Sequence, residues 1–211
     1  MNISCNDVHS FFNRMKRFYF PYDPSEIPQN GIYVLFEQGE KAHNGDRIVR
    51  IGTHTGNNQL QSRLKQHFIN ENKDRSIFRK NIGRCILDKR KDEYLKIWEL
   101  DLTTRQRKTN YLHLIDKDYQ QKIEREVSKY IQSNFSFCVI PLEKKEKRLK
   151  FESKLISTIS LCKDCYASEN WLGLNSTKKK IRESGLWLVN ELYKEPLLKS
   201  EFAELVKNIK N

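Results

Sequence analysis

Apolar positions along the chain follow two different periods, and the switches between them outline the elements. Val8, Phe11, Phe12, Met15 and Phe18 recur at helical spacing, which predicts a helix over 8–20. Pro21, Pro24 and Pro28 then force an extended path. From Gly31 to Phe36 the period drops to two, with Ile32, Val34 and Phe36 on one face and Tyr33 and Leu35 on the other, so this segment is a strand. A polar loop with Gly39, Asn44 and Gly45 leads to a second strand, Arg47 to Thr53. Strict alternation there puts Val49 and Ile51 on one face and Ile48, Arg50 and Gly52 on the other. The two strands form an antiparallel hairpin with a long tip.

Gly56-Asn57-Asn58 opens a helix running to about Asn70, with Leu60, Leu64 and Phe68 in one stripe. Phe135 to Ile140 is a continuous apolar run stopped by Pro141, which suits a central strand. A helix follows from about Glu143 to Leu161, with Leu149, Ile156 and Ile159 aligned, and the tail holds three shorter helical stretches broken at Gly185 and Pro196. The fold expected is α+β: a small antiparallel three-stranded sheet flanked by helices, in the order β-β-α-β-α. At 211 residues the chain makes one domain. Its parts are an N-terminal helix and lead-in (1–30), a core (31–71 and 135–175), a largely helical basic insertion (72–134) and a helical tail (176–211). Within the insertion, Leu95 to Leu102 is a candidate strand.

Charge adds a partner class to this outline. Thirty-nine Lys and Arg against 27 Asp and Glu leave a formal +12. Between Lys73 and Lys108 there are 12 basic and 6 acidic residues, so half of the excess is concentrated in one stretch. That distribution fits a phosphate-facing surface better than it fits a drift toward Lys, Asn and Ile. No run approaches the roughly 18 apolar residues of a membrane span, and Met1 to Asn13 carries Asp7 with no apolar core of a secretory signal. A cytoplasmic location is expected. Five cysteines are an odd number, which argues against a disulfide framework. Cys162-Lys-Asp-Cys165 has zinc-knuckle spacing, yet no second pair answers it, and the expectation is ordinary reduced thiols.

Several side chains could carry chemistry. Tyr33 and Arg50 project from one face of the hairpin, where a guanidinium eases ionisation of a phenol; a plain Tyr–Arg stack is the simpler reading. Arg63 and His67 stand four apart on the following helix, a phosphate fork and a proton relay, or else a solvated helix face. Glu152 lies in line with an apolar stripe, where a carboxylate needs either an ion-pair partner or a metal. Asn170 heads the tight turn Asn170-Trp171-Leu172-Gly173.

Gly31-Ile32-Tyr33, Arg50-Ile51-Gly52, Arg63 and His67 on a helix, Glu152 on a later helix and then Asn170 occur in an order that resembles the GIY-YIG nuclease family. Ser76-Ile77-Phe78-Arg79, Trp171-Leu172-Gly173 and Ser184-Gly185-Leu186-Trp187 look like a bacterial branch of it. The first motif is intact; in the second, Arg50 stands where the family has tyrosine. The resemblance covers Gly31 to Phe68 and Phe135 to Gly173, and it implies a DNA endonuclease using one Mg2+ or Mn2+ ion. Glu152 is then the metal ligand, Arg63 the stabiliser of transition-state charge, Tyr33 the general base and His67 a hydrogen-bonding or relaying partner. Asn170 fixes the pocket, with Asn175 as the substitute for that position. Arg50 cannot act as a phenol; it either lowers the Tyr33 pKa or grips phosphate, and His54, beyond it on the strand, is the candidate for the lost proton-transfer role. Arg75, Arg79, Lys80, Arg84, Lys89, Arg90 and Lys91 are the expected phosphate contacts. A binding module with reduced catalysis and an RNA-cleaving nuclease are the competing readings, and a restriction or defence setting is one expectation for the nuclease.

Overall fold

The computed structural model describes residues 1–207. Its centre is an antiparallel sheet of four strands, β1 (Phe18–Tyr19), β2 (Gly31–Ala42), β3 (Gly45–Gly52) and β4 (Phe135–Pro141), in the order β1-β4-β2-β3. The expectation was three strands. The fourth, β1, is two residues long and pairs Phe18 with Phe137, in a segment whose apolar spacing had suggested helix. The first helix, α1, accordingly spans only Cys5–Asn13, capped by the Ser4 side chain.

Nine α-helices occur among the described residues: α1, then α2 (Leu60–Phe68), α3 (Ile77–Lys89), α4 (Leu95–Trp98), α5 (Arg105–Tyr111), α6 (Lys117–Asn134), α7 (Lys145–Ser160), α8 (Lys179–Ser184) and α9 (Lys199–Lys207). The candidate strand at 95–102 is therefore helix α4 and a loop. Trp98 is the reason: its ring is fully buried and its indole N–H donates to Lys80 O at 2.9 Å, which fixes a short helix against α3.

Both faces of the sheet are covered. One face carries Tyr33, Leu35 and Val49 and packs with α2, α3, α6 and the two tryptophans Trp171 and Trp187. The other carries Ile32, Val34, Phe36, Ile48 and Ile51 and packs with α1, α7 and α9. This explains why Gly31 to Phe36 are all buried although their pattern alternates. Val49 departs from the expected face. Leu35 pairs with Arg50 but Phe36 pairs with Ile48, so Val49 sits in a β-bulge and turns to the Tyr33 side. The hairpin tip is also shorter than expected, closing at His43 and Asn44, both with positive φ.

The tail docks through buried polar contacts. Glu37 accepts the indole N–H of both Trp171 and Trp187 at 2.7 Å and the Tyr130 hydroxyl at 2.5 Å. Burial raises its pKa and these three donors pull it back down. Arg47, fully buried, pairs with Glu40 at 2.5 Å and donates to Gly185 O at 2.5 Å. Gly185 closes α8 in the left-handed region, φ 67, where a side chain is strained.

Candidate active site

The site begins with the register of the hairpin. Tyr33 pairs with Gly52, and a Cβ at Gly52 would collide with the Tyr33 phenol, so glycine is required for the ring to lie across β3. Arg50, opposite Leu35, is on the same face, and its Nε donates to the Tyr33 hydroxyl at 3.4 Å. One helix away, His67 Nε2 lies 2.8 Å from that hydroxyl, and His67 Nδ1 lies 2.8 Å from Ser76 Oγ, the N-cap of α3. Because Arg50 donates to the phenolic oxygen, the arrangement assigns the phenol proton to His67 Nε2 and the Nδ1 proton to Ser76. Burial, together with Arg63, Arg50 and Arg79, holds the His67 pKa well below the ordinary histidine value, so the ring is neutral.

Arg50 faces two surroundings at once. Behind it are Tyr33 and Phe78, and its guanidinium also donates to Trp187 O. In front of it are two adjoining hollows of about 400 and 490 Å3 that share Arg63, Leu149 and Glu152. Thr53, His54, Gln59 and Gln66 line the first, and Arg50, Asn81, Asn190 and Glu191 are among those lining the second. A larger hollow of about 810 Å3, lined by Phe11, Met15, Ile27 and Val139 with Lys16 and Glu26 paired at its edge, shares no residue with either.

Glu152 sits at the join of the two hollows. Its Oε1 accepts the Thr53 N–H at 3.0 Å, and Arg50 and Arg63 act on it at longer range. Burial raises its pKa above the usual carboxylate range, Arg50, the Thr53 N–H and Arg63 oppose that rise, and Glu191 adds to it. Glu152 forms no ion pair among the described residues, so of the two readings open in the sequence the structural salt bridge is not the one built here. A carboxylate with no ion-pair partner, one oxygen held by a backbone N–H and an open hollow in front can offer oxygen to a hard divalent ion.

Arg63 reaches the cleft from α2, steadied by Gln66 Oε1 at 3.1 Å and by Arg75 O at 3.2 Å. Leu60, Leu64 and Phe68 are fully buried as the stripe predicts, but His67 is fully buried as well, so Arg63 and His67 do not share a solvated face. The family model described as GIY-YIG domain matches residues 10–211. The chain belongs to the GIY-YIG family. Among curated proteins and solved structures nothing matches it.

For a GIY-YIG protein, several expected positions land elsewhere. Tyr33 is completely buried and lines neither hollow; its oxygen is committed to His67 and Arg50. Direct contact with a water in the cleft is not what this arrangement offers. His54 lies beyond the end of β3 rather than on its face. Its Nε2 accepts the Gly31 N–H at 3.3 Å and its Nδ1 lies 2.8 Å from Gly56 O, so both ring nitrogens hold backbone and no relay is left free. Burial lowers its pKa, and Arg148 reinforces this. Asn170 is exposed on its turn, and Asn175 donates to Leu172 O at 3.2 Å; neither lines the cleft.

An asparagine that does line the cleft is Asn190. Trp187 N donates to Val49 O at 2.8 Å, which lays residues 187–190 beside β3 and carries Asn190 to Arg50. Asn81 is the other residue that the sequence reading missed. It is 1% exposed, its Oδ1 is taken by Arg84, and its Nδ2 has no protein partner. Nothing in a one-dimensional pattern marks either residue, because both reach the cleft through tertiary contacts.

The expected phosphate contacts divide sharply. Arg79, fully buried, pairs with Glu124 at 2.8 Å and donates to Ser128 Oγ at 2.9 Å. Arg84 pairs with Glu99, and Lys80 donates to Glu99 O at 2.8 Å. Burial and the neighbouring Lys73 lower the Lys80 pKa to about 8. These three cations hold α3 to α6 and to the residues after α4, so they face protein. Arg75, Lys89, Arg90 and Lys91 are exposed, although Arg90 bonds Glu126 at 2.7 Å.

Proposed function

We propose that the protein is a metal-dependent endonuclease that hydrolyses phosphodiester bonds of DNA in the cleft between α2, β3 and α7. The family points to nuclease-type function, and its members act on DNA generally. The observation that carries the reading is the convergence of Arg50, Arg63 and Glu152 on adjoining hollows.

A divalent ion, when bound, acts as a Lewis acid on a phosphate oxygen and supplies a metal-activated water. Glu152 is the residue to hold it, with its Oε1 already oriented by Thr53 N–H. Water attacks phosphorus and gives up one proton to solvent, the bond to one ester oxygen breaks, and that oxygen takes a proton from solvent, so the diester becomes a monoester and an alcohol. Arg63 and Arg50 offset the negative charge that gathers on the non-bridging oxygens. Tyr33 and the neutral His67 position Arg50 from behind, and Asn190 offers hydrogen bonds to the phosphate or sugar. Arg75, beside Arg63, extends the cationic track. A restriction or defence setting rests on the resemblance of the chain to one branch of the family.

Incubation of the purified protein with plasmid, linear duplex DNA and RNA, in Mg2+, Mn2+ or EDTA, tests this. DNA cleavage that needs the ion and is lost in Glu152→Ala, with DNA binding retained, is the expected result. Cleavage of RNA alone overturns the substrate, and binding without cleavage in either ion favours a module whose catalysis left with the second tyrosine.

A further inference from the structure

Away from the cleft, three cysteines and two histidines from distant parts of the sequence meet at one point. Cys5 and His9 come from α1, His43 from the β2–β3 tip, and Cys162 and Cys165 from the loop after α7. One ligand atom each from Cys5, His9, His43 and Cys165 lies within 4.8 Å of the other three. Cys162 Sγ is 3.6 Å from His43 Nε2, Cys165 Sγ is 3.7 Å from His9 Nε2 and Cys5 Sγ is 3.4 Å from His9 Nδ1. All five cysteines of the chain are free thiols.

We propose that Cys5, His43, Cys162 and Cys165 bind one structural zinc ion. Zn–S and Zn–N bonds of about 2.3 and 2.0 Å in a tetrahedron put neighbouring ligand atoms about 3.3 to 3.8 Å apart. The 3.6 Å separation of Cys162 and His43 falls in that range, and so do the contacts of His9 with Cys5 and Cys165, so spacing alone does not choose between Cys162 and His9. Cys162 Sγ also accepts the Asp164 N–H at 3.4 Å, so the Cys162-Lys-Asp-Cys165 turn is folded with an amide aimed at its first sulfur. Two thiols and two imidazoles, or three thiols and one imidazole, are a soft donor set that suits zinc and not magnesium.

His9 is close enough to ligate, and its backbone bonds exclude it. Nδ1 is 3.0 Å from Cys5 O, and Nε2 accepts the N–H of Ile48 at 3.1 Å. Ligation through Nε2 removes that acceptor directly. Ligation through Nδ1 moves the ring proton to Nε2, which then cannot accept. Either way a fully buried strand amide is orphaned. His9 therefore backs the site, holding α1 to β3, and Cys162 is the fourth ligand. No second Cys pair follows the first in the sequence; the missing ligands come from α1 and the hairpin tip, 119 to 157 positions before Cys162. The ion ties α1, the hairpin tip and the loop that leads to Trp171 into one unit. Its residues share none with the Glu152 cleft.

Metal analysis of the whole chain purified from zinc-supplemented cells, without chelator, tests the site. One equivalent of zinc is expected, retained in Glu152→Ala and in His9→Gln, and lost in Cys162→Ser and in Cys5→Ser. Replacement by Co2+ should give thiolate-to-metal charge-transfer absorption that falls in Cys165→Ser. A thiol reagent should find Cys5, Cys162 and Cys165 protected until a chelator is added. Protein that holds no zinc and takes up no cobalt, or zinc that survives Cys162→Ser and leaves in His9→Gln, overturns the assignment. A Cys5–Cys165 disulfide in the freshly purified protein overturns it as well. Loss of DNA cleavage in EDTA reports on the cleft and not on this site, so the two readings fail separately.

Discussion

Glu152 is held in a strained electrostatic compromise that two measurements can expose. Its folded-state pKa is raised by burial, so its ionisation opposes folding once the pH exceeds the unfolded carboxylate value of about 4.3. Glu152→Gln keeps an oxygen for the Thr53 N–H and removes the buried charge. The metal-free variant should melt at a higher temperature than wild type at neutral pH, and the gap should close as the pH is brought down to about 4. The same variant should not cut DNA, and added Mg2+ should raise the melting temperature of wild type only. Calorimetry across that pH range checks the first claim, and a Glu152→Gln that melts no higher at neutral pH contradicts it. Tyr33 makes a separate residue-scale case. Tyr33→Phe leaves a neutral, buried His67 nitrogen without its partner, at a cost of about 1–3 kcal/mol, and frees Arg50 Nε. Turnover should fall with the shape of the pH–rate profile unchanged, because the phenol positions Arg50 and meets no water. A profile whose limb moves in Tyr33→Phe would instead mark the phenol as the acid–base group.

At the scale of elements, α3 shows how basic residues in sequence can be structural in space. Arg79, Lys80 and Arg84 face α6 and α4 because Glu124 and the Glu99–Leu100 turn offer them partners. Arg79→Ala should cost about 3–5 kcal/mol, since it strands the buried Glu124 carboxylate. Denaturant unfolding at neutral pH measures it, and a loss below about 1 kcal/mol would show that Glu124 finds another donor. Replacing the exposed Arg75, Lys89 and Lys91 should leave stability nearly unchanged. If they touch phosphates, each should reduce the slope of log K against log salt for duplex DNA by about 0.9. An unchanged slope places the DNA on another surface. The bulge at Val49 matters at this same scale: it returns Val49 to the Tyr33 face and leaves Val49 O free for Trp187 N, which in turn delivers Asn190.

For the whole molecule, two neutral histidines set an acid limit. His67 and His54 both have folded-state pKa values below the ordinary one. Their contribution is therefore complete above the unfolded value of about 6.5 and is lost progressively as the pH falls below it. Wild-type urea midpoints should fall more steeply between about pH 7.5 and pH 5 than those of His54→Gln. The comparison cancels the opposite trend of Glu37, Glu124 and Glu152, whose pKa values burial raises, and parallel profiles would show that the ring finds new acceptors when charged. The three-layer arrangement makes this possible, because His67 lies under α3 and His54 under the start of α7, with Arg148 bridging Leu142 O and Gly56 O. No helix among the described residues is long and apolar enough to cross a membrane.

Sequence alone was enough for what depends on local period and on residue type. The alternation at Gly31–Phe36, the Leu60–Leu64–Phe68 stripe and the apolar run ending at Pro141 specify β2, α2 and β4 through backbone geometry that neighbours do not alter. The order of Tyr33, Arg50, Arg63 and Glu152 along those elements carries the resemblance to the family that the family model then shows. Tertiary structure decided which polar groups meet. A charge in a one-dimensional pattern has no partner, so Arg79 in the core and Arg75 at the surface look alike until Glu124 is placed beside one of them. The cysteine count by itself shows no cluster; it is the hairpin tip that carries His43 to Cys162. An asparagine near the right tryptophan looks suitable at 170 until a backbone bond between Trp187 and Val49 carries Asn190 to the cleft instead. Period is a property of neighbours along the chain, whereas hydrogen bonding, pairing and ligation depend on neighbours in space.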